Sequence, residues 1–463
     1  MAYALDQLGF LQFEQLVAAL FDLGAGIAAD AWSGEADRIR SVVSETAIGR
    51  PLIGGLIPAP VLVQCAWIRP GDRTRLPGMV RALAAERSED WGRARSFVLV
   101  TNLVVTGAGV PDVVGALGRS MPGVAVLGAV EIGAQLDAHA QLRRAMPSVL
   151  GLRELDALIE PAAARRSSLD RGAAQALARV FVPTGAYRHA LQVLEQHRFA
   201  VLTGPPEMGK TAVARMIGLA QMTDGWEAHE CVRPEDVWRV FDSDRAQVFI
   251  ADDAFGSTEY RPDAAERWAR EMERILRGLD DRHWLIWTSR PAPLRTGLGR
   301  LHRERGAERF PAPGEVLVDA SALSAVEKTL ILFRHAKAAD LPPRLRHEVR
   351  AHGVEIVAHP HFTPERIRRL VATLKASAPG DRRGLADLVA GELTNATEAM
   401  ETSFAALADE HRDLLVAMLD TPPGPVTDQE LAAALRRHHS GALTHSPVDL
   451  VDRLTDHFLR VLI

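Results

Sequence analysis

The chain has 463 residues, 47% of them apolar and 24% charged, with a formal net charge of −5. That is the composition of an ordinary globular protein, too long for one core and long enough for roughly two to four domains. The negative balance excludes broad non-specific nucleic-acid binding, so any such contact must be local. Cys65 and Cys231 stand without CxxC or Cys/His clusters, which excludes a disulfide framework or a structural zinc site. No apolar run reaches membrane-spanning length, and the N-terminus (MAYALDQLGFLQFEQ) carries acids where a signal peptide would be basic. A cytoplasmic compartment without a membrane partner is expected.

Residues 1–155 mix strand-like and helix-like runs. Residues 156–179 are rich in Ala and Arg and read as a helical connector. Residues 180–320 read as one nucleotide domain, because they hold a P-loop in its proper setting. An apolar run, Phe199–Leu202, leads into Gly204, four residues, then Gly209, Lys210 and Thr211, and a helical pattern follows. This is G-x-x-x-x-G-K-[ST] between strand and helix. Gly204, Pro205, Pro206, Glu207, Met208, Gly209 and Ala212 complete the loop around Lys210 and Thr211. Its backbone N–H groups and the helix N-terminus suit phosphate. Lys210 supplies a point charge to the β- and γ-phosphates, and the Thr211 hydroxyl is placed for Mg²⁺. A glycine turn that matches by coincidence is the alternative, disfavoured by the flanking pattern.

Gln247–Asp253 (QVFIADD) reads as a short strand ending in two carboxylates. Asp252 is the natural metal partner, and Asp253 sits where such ATPases polarise the attacking water. Asp253 is a methylene shorter than the common glutamate, so slow turnover is expected, as befits a switch. A third strand, His283–Trp287, ends in Thr288, Ser289 and Arg290. Arg290 is placed to sense the γ-phosphate, the alternative being a solvated loop arginine.

Residues 321–403 read as a helical lid and 404–463 as three short helices with a final apolar run. Phe404–Leu419 has helical periodicity. Thr427 to Glu430 forms a capping box, and Ser446-Pro447 opens the third helix. The order suggests a winged helix. Its third helix carries Asp449, Asp452 and Asp456 against Arg453, which favours a structural or regulatory role over DNA readout. The chain stops where a wing hairpin would begin, so a longer natural protein is expected.

The segments Phe181–Thr184, the P-loop, Val248–Gly256, His283–Leu294 and Val326–Pro342 together resemble the novel-STAND NTPases. These are signal-transducing P-loop ATPases of the AAA-related superclass, many of them in bacterial antiviral defence. The resemblance implies ATP or ADP with Mg²⁺, and a lid and winged helix that lock ADP at rest. It implies homo-oligomerisation on activation, a protein trigger or partner effector, and a C-terminal repeat sensor that is not among these residues. His359–Pro364 resembles the lid segment that sets a proline, here Pro364, against the adenine, with an ordinary helix-start turn as the alternative.

Residues 1–155 resemble a Mrr-type, restriction-endonuclease-like domain in Gly9–Phe21, Ala59–Trp67, Ser96–Gly107 and Val124–Pro147. Active members hold Mg²⁺ on acids and carry Gln/Glu-x-Lys on the core strand. Here Gln64 is present, but Ala66 stands at the lysine position. Only Glu35 or Asp37 replaces the acidic turn, with Glu14 on the opening helix. A degenerate, non-cleaving domain is expected, since losing the lysine removes much of the transition-state electrostatics. Arg38, Arg40, Arg69, Arg73 and Arg75 offer a possible phosphate contact or a solvated face.

The expected fold class is therefore α/β: a restriction-endonuclease-like domain, a P-loop domain with a parallel sheet, then helical lid and winged helix. The expected function is a slow ATP-hydrolysing signalling switch in anti-phage defence. The alternatives are an ATP-dependent Mrr-like endonuclease cutting foreign DNA and a non-enzymatic, nucleotide-locked adaptor.

Overall fold

The computed structural model describes residues 3–28, 39–69, 71, 78, 92–105, 115, 121–255, 262–291, 294, 313–376, 385–394, 401, 404–405, 407–420, 426–439, 441 and 443–454. The chain divides into two compact units, Met1–Glu160 with Arg171–Phe181, and Pro161–Asp170 with Val182–Ile463.

In the first unit, helix α1 (Phe10–Ala25) buries Phe13, Leu16, Val17, Leu20 and Phe21, a stripe at helical spacing. Gly26 ends it with φ at 65°, its N–H donating to Asp22 O at 3.0 Å. Strands β1 (Ile39–Ser44), β2 (Val61–Ala66), β3 (Ser96–Thr101) and β4 (Val124–Leu127) follow in sheet order β1-β2-β3-β4. β1 runs antiparallel to β2, and the other pairs are parallel. β2 and β3 are buried along their whole length, as the centre of a sheet covered on both faces requires. Leu62, Ala66, Phe97 and Leu99 build the core on one face. Helices α2 (Ala129–Ala138) and α3 (Ala140–Ala145) complete this part of the unit.

Helix α4 (Pro161–Arg166) belongs to the second unit, whereas α5 (Arg171–Val180) returns to the first. The second unit continues through α6 (Gly185–His197), β5 (Phe199–Thr203), α7 (Lys210–Met222), β6 (Glu227–Glu230), α8 (Pro234–Val240), β7 (Gln247–Ala251), α9 (Pro262–Gly278), β8 (His283–Ser289), α10 (Pro313–Val316) and β9 (Leu317–Asp319). The sheet order is β6-β7-β8-β5-β9, all parallel. The stretch predicted as a helical connector is interrupted at 167–169, which lies along the edge strand. Ser168 and Leu169 donate their N–H groups to Ala228 O at 3.0 and 3.2 Å. The Ser167 and Ser168 hydroxyls accept from Ala228 N and Glu230 N at 3.0 and 2.8 Å. An open strand edge is thereby covered.

Trp287, at the middle of the sheet, is fully buried, with ring centroids of Phe199, Phe255 and Trp268 at 5.0, 5.1 and 5.1 Å. The edge-to-face geometry adds to the apolar area each ring buries.

Helices α11 (Ala325–Ala338), α12 (Pro343–Ala351), α13 (Gly353–Ala358), α14 (Pro364–Ala376) and α15 (Leu385–Thr394) share a core of Leu330, Ile356, Phe362, Ile367, Leu370 and Leu393. Helices α16 (Asp409–Leu419), α17 (Asp428–His438) and α18 (Pro447–Leu454) pack around Leu414, Leu431, Leu435, Leu450 and Leu454. The helix predicted over Phe404–Leu419 is interrupted: Phe404 and Ala405 are helical, but Ala408 is extended (φ −61°, ψ 155°) and α16 begins at Asp409. The capping box is formed, with Thr427 Oγ1 accepting from Glu430 N and Glu430 from Thr427 N at 2.9 Å. The side chains of Asp449, Asp452 and Arg453, and all of Asp456, lie outside the described residues. Among the described residues no helix is long and apolar enough to cross a membrane.

Trp287→Ala removes the central ring of this cluster, so urea unfolding of the variant is expected to show a loss of roughly 3–5 kcal/mol. A loss below about 1 kcal/mol would contradict the packing just described.

Candidate functional site

The loops after β5, β7 and β8 leave the same edge of the parallel sheet, the edge at which open α/β folds place ligands. The loop after β5 is shaped by its glycines. Gly204 has φ at 146°, and a Cβ there would lie 3.2 Å from the backbone nitrogen of Ser321. Gly209 has φ at 86° and sits at the N-cap of α7. Between them run Pro205, Pro206, Glu207 and Met208, all part-buried, and Thr211 and Ala212 open the helix behind Lys210.

Lys210 is buried, and its ammonium donates to the carbonyl oxygens of Gly204 and Pro205, both at 2.8 Å. Burial pulls its pKa down to about 8; Asp253 and Asp252 push it back up, and Arg290 pulls it further down. A cation is thus held at the mouth of a loop with too little negative charge to satisfy it. The shift amounts to roughly 3 kcal/mol against the charged form.

The acids after β7 are tied to this loop. Asp252 Oδ1 accepts from Thr211 Oγ1 at 2.8 Å and from the Thr288 hydroxyl. Thr288, buried at the end of β8, also accepts from Asp253 N at 2.9 Å, and its carbonyl accepts from Ala254 N at 3.1 Å. Asp253 has φ at 47°, a conformation that a non-glycine side chain enters at a cost and that clusters at functional sites. Arg290 is half-buried; burial lowers its pKa while Asp253 and Glu207 raise it. The structure therefore brings Lys210, Thr211, Asp252, Asp253 and Arg290 around one loop.

The turn before α14 and the first turn of α14 reach the same loop. Thr363, the residue before Pro364, donates from its hydroxyl to Glu207 Oε2 at 3.3 Å, and Arg366 Nε lies 3.7 Å from that oxygen. Pro364 is the first residue of α14, held beside the loop by these neighbours.

The donor set around Thr211 and Asp252 is made of hard oxygens, which fits Mg²⁺ that takes its remaining ligands from phosphate and water. Among the described residues no group of three His, Cys, Asp or Glu side chains forms a metal site by itself.

Of the residues proposed for a nuclease site, Glu14 and Gln64 are described. Glu14 is buried on α1. Gln64 is buried in β2, opposite Ser41 and Leu99, with Oε1 lacking a hydrogen-bond partner among the described residues. Ala66 shares its face and supplies no cation. Glu35 and Asp37 lie outside the described residues, as do Arg38, Arg73 and Arg75 and the side chain of Arg40; Arg69 is exposed.

Sequence reasoning missed Thr288 as the residue that fixes both aspartates, and missed Arg366 and Thr363 as partners of the loop. The Thr-Pro pair that starts a helix was a usable signal for Thr363, whose hydroxyl accepts from Arg366 N at 3.2 Å.

The sequence over residues 181–338 matches the family described as Novel STAND NTPase 3. Among solved structures, the chain is similar to a Walker-type ATPase of Pyrococcus abyssi, at 13% identity over 60% of this chain and 89% of that one, with a TM-score of 0.39. It is similar to the FIGL-1 AAA domain in complex with ADP, at 13% identity over 54% and 90%, TM-score 0.31. It is also similar to C. elegans PCH-2, at 12% identity over 50% and 70%, TM-score 0.26. These TM-scores are too low to decide anything about this chain. No curated protein matches it. The family match lies over the P-loop and both the acidic and the arginine-tipped strand ends.

Proposed function

We propose that the chain is an ATP-binding, slowly hydrolysing switch. The observation that supports it most is Lys210, a buried cation resting on the carbonyls of Gly204 and Pro205 with Thr211 and Asp252 hydrogen-bonded beside it. In this reading the loop N–H groups and Lys210 bind the phosphates. Thr211 and Asp252 hold Mg²⁺, which supplies charge neutralisation on the phosphate oxygens. Asp253, fixed through its backbone by Thr288, orients the attacking water and accepts its proton. Arg290 answers the charge of the γ-phosphate, and Pro364 covers the adenine.

The lid and the three-helix C-terminal part, read as a winged helix, form the lock. ADP favours the closed form and ATP an open, oligomerising one, which needs only a few kcal/mol of differential binding. The N-terminal unit is read as a nuclease-like effector or recruitment domain that no longer cuts, given Ala66. Its signal passes to or from a protein partner in bacterial defence in the cytoplasm, a reading that the resemblance to antiviral STAND proteins supports.

One incubation tests this. With ATP, Mg²⁺ and plasmid DNA, the purified chain is expected to release phosphate slowly and leave the DNA intact, and Asp253→Asn to stop the phosphate release. DNA cleavage would instead favour the ATP-dependent endonuclease, and no phosphate release from either protein would favour the adaptor.

A pH dependence also follows. Bound phosphates raise the pKa of Lys210 above its unliganded value of about 8. Binding therefore takes up a proton once the pH exceeds that value, so nucleotide affinity is highest below it. From pH 7 to 7.5 the affinity should hold nearly constant, and above pH 8 it should fall, approaching about tenfold per unit. Equilibrium binding of a fluorescent ADP across pH 7–9.5 checks this; a rise over that range would contradict it.

A further inference from the structure

We propose that Glu207 is a latch, an acid set within the phosphate loop that fastens the helical lid to it through Arg366 and Thr363. The contact stands on the geometry, and what it controls rests on the nucleotide reading above.

The backbone of Glu207 has φ at 67°, where glycine sits freely and a side chain is strained. A side chain at this point must give something in return, and what it gives is a link to another element. The carboxylate, 7% exposed, faces the guanidinium of Arg366, 8% exposed, with Oε2 and Nε 3.7 Å apart. The same Oε2 accepts from Thr363 Oγ1 at 3.3 Å. Oε1 is buried and has no hydrogen-bond partner among the described residues, and the hydrogen bond and ion pair of Oε2 run toward the lid.

Arg366 is held from behind as well. Its Nη1 donates to the carbonyls of Leu393 and Glu392 at 2.8 and 3.1 Å, at the end of α15. The phosphate loop, the first turn of α14 and the last turn of α15 thus form one bonded path. A buried ion pair of this kind adds little net stability, yet removing one partner leaves the other charge buried and is strongly unfavourable. That combination suits a contact whose purpose is position. Arg290 lies close enough to feel the charge of Glu207, so the acid acts on a cation at the sheet edge as well as on the cation of the lid.

Two physical roles for Glu207 predict opposite signs. As a plain acid in the loop it repels phosphate, and neutralising it slows nucleotide release. As a latch it keeps the lid seated, and neutralising it speeds release.

The test uses the full chain and a methylanthraniloyl-ADP chase on wild type, Glu207→Gln, Arg366→Gln and the double variant. Each single variant is expected to release the nucleotide roughly tenfold faster, and the double variant no faster than the singles, because all three lose the same pair. Slower release by Glu207→Gln, or effects that multiply in the double variant, would overturn the proposal. Amide hydrogen exchange across residues 364–376 without nucleotide gives a separate reading. Exchange there is expected to rise in Glu207→Gln, and unchanged protection would likewise overturn the latch. If the wild type fails to bind the fluorescent ADP, the nucleotide reading falls, and the exchange measurement still decides the latch.

Discussion

The second unit turns on a single unfavourable burial. Lys210 carries its charge into a site where the nearest acceptors are two backbone carbonyls of its own loop. Those dipoles keep the ammonium in place without neutralising it, and burial drags its pKa down to about 8. An anion delivered to this loop removes that penalty. The glycine geometry before the lysine, the helix N-terminus behind it and the acids in front all arrange the surroundings of that cation.

The sheet is what makes the arrangement rigid. Its all-parallel order places the ends of β5, β7 and β8 side by side, and the aromatic cluster around Trp287 locks β8 against its neighbours. Thr288, one residue further, is therefore fixed well enough to set both Asp252 and the backbone of Asp253. Precision at the site comes from packing one residue away. The start of α14 is tied in by different means, through charge and hydroxyl contacts at Glu207.

Much of this was legible in the sequence because it is local. The P-loop spacing, the apolar strands ending in Asp252 and in Arg290, and the capping box at Thr427 each express a short-range rule, and each lies within a few residues of its signal. What escaped was long-range. Glu207 and Arg366 are far apart in the chain, and nothing in either neighbourhood marks them as a pair. The hydroxyl of Thr288 looks like any strand-end threonine until β7 lies beside it. The stretch at 167–169 sits in an Ala/Arg-rich, helix-prone segment, and only the unpaired edge of β6 draws its backbone out of the helix. The break before α16 was missed because apolar periodicity runs on past Ala408 to Phe404, whereas the extended backbone of Ala408 interrupts the helix.

The central claim is that Lys210 is a phosphate-binding cation and not a merely structural one. Isothermal titration calorimetry with ATP and Mg²⁺, comparing the wild type with Lys210→Ala, tests it most directly. The account predicts a clear binding isotherm for the wild type and none for the variant, with both proteins folded to the same extent. An unchanged ATP affinity in Lys210→Ala would contradict it.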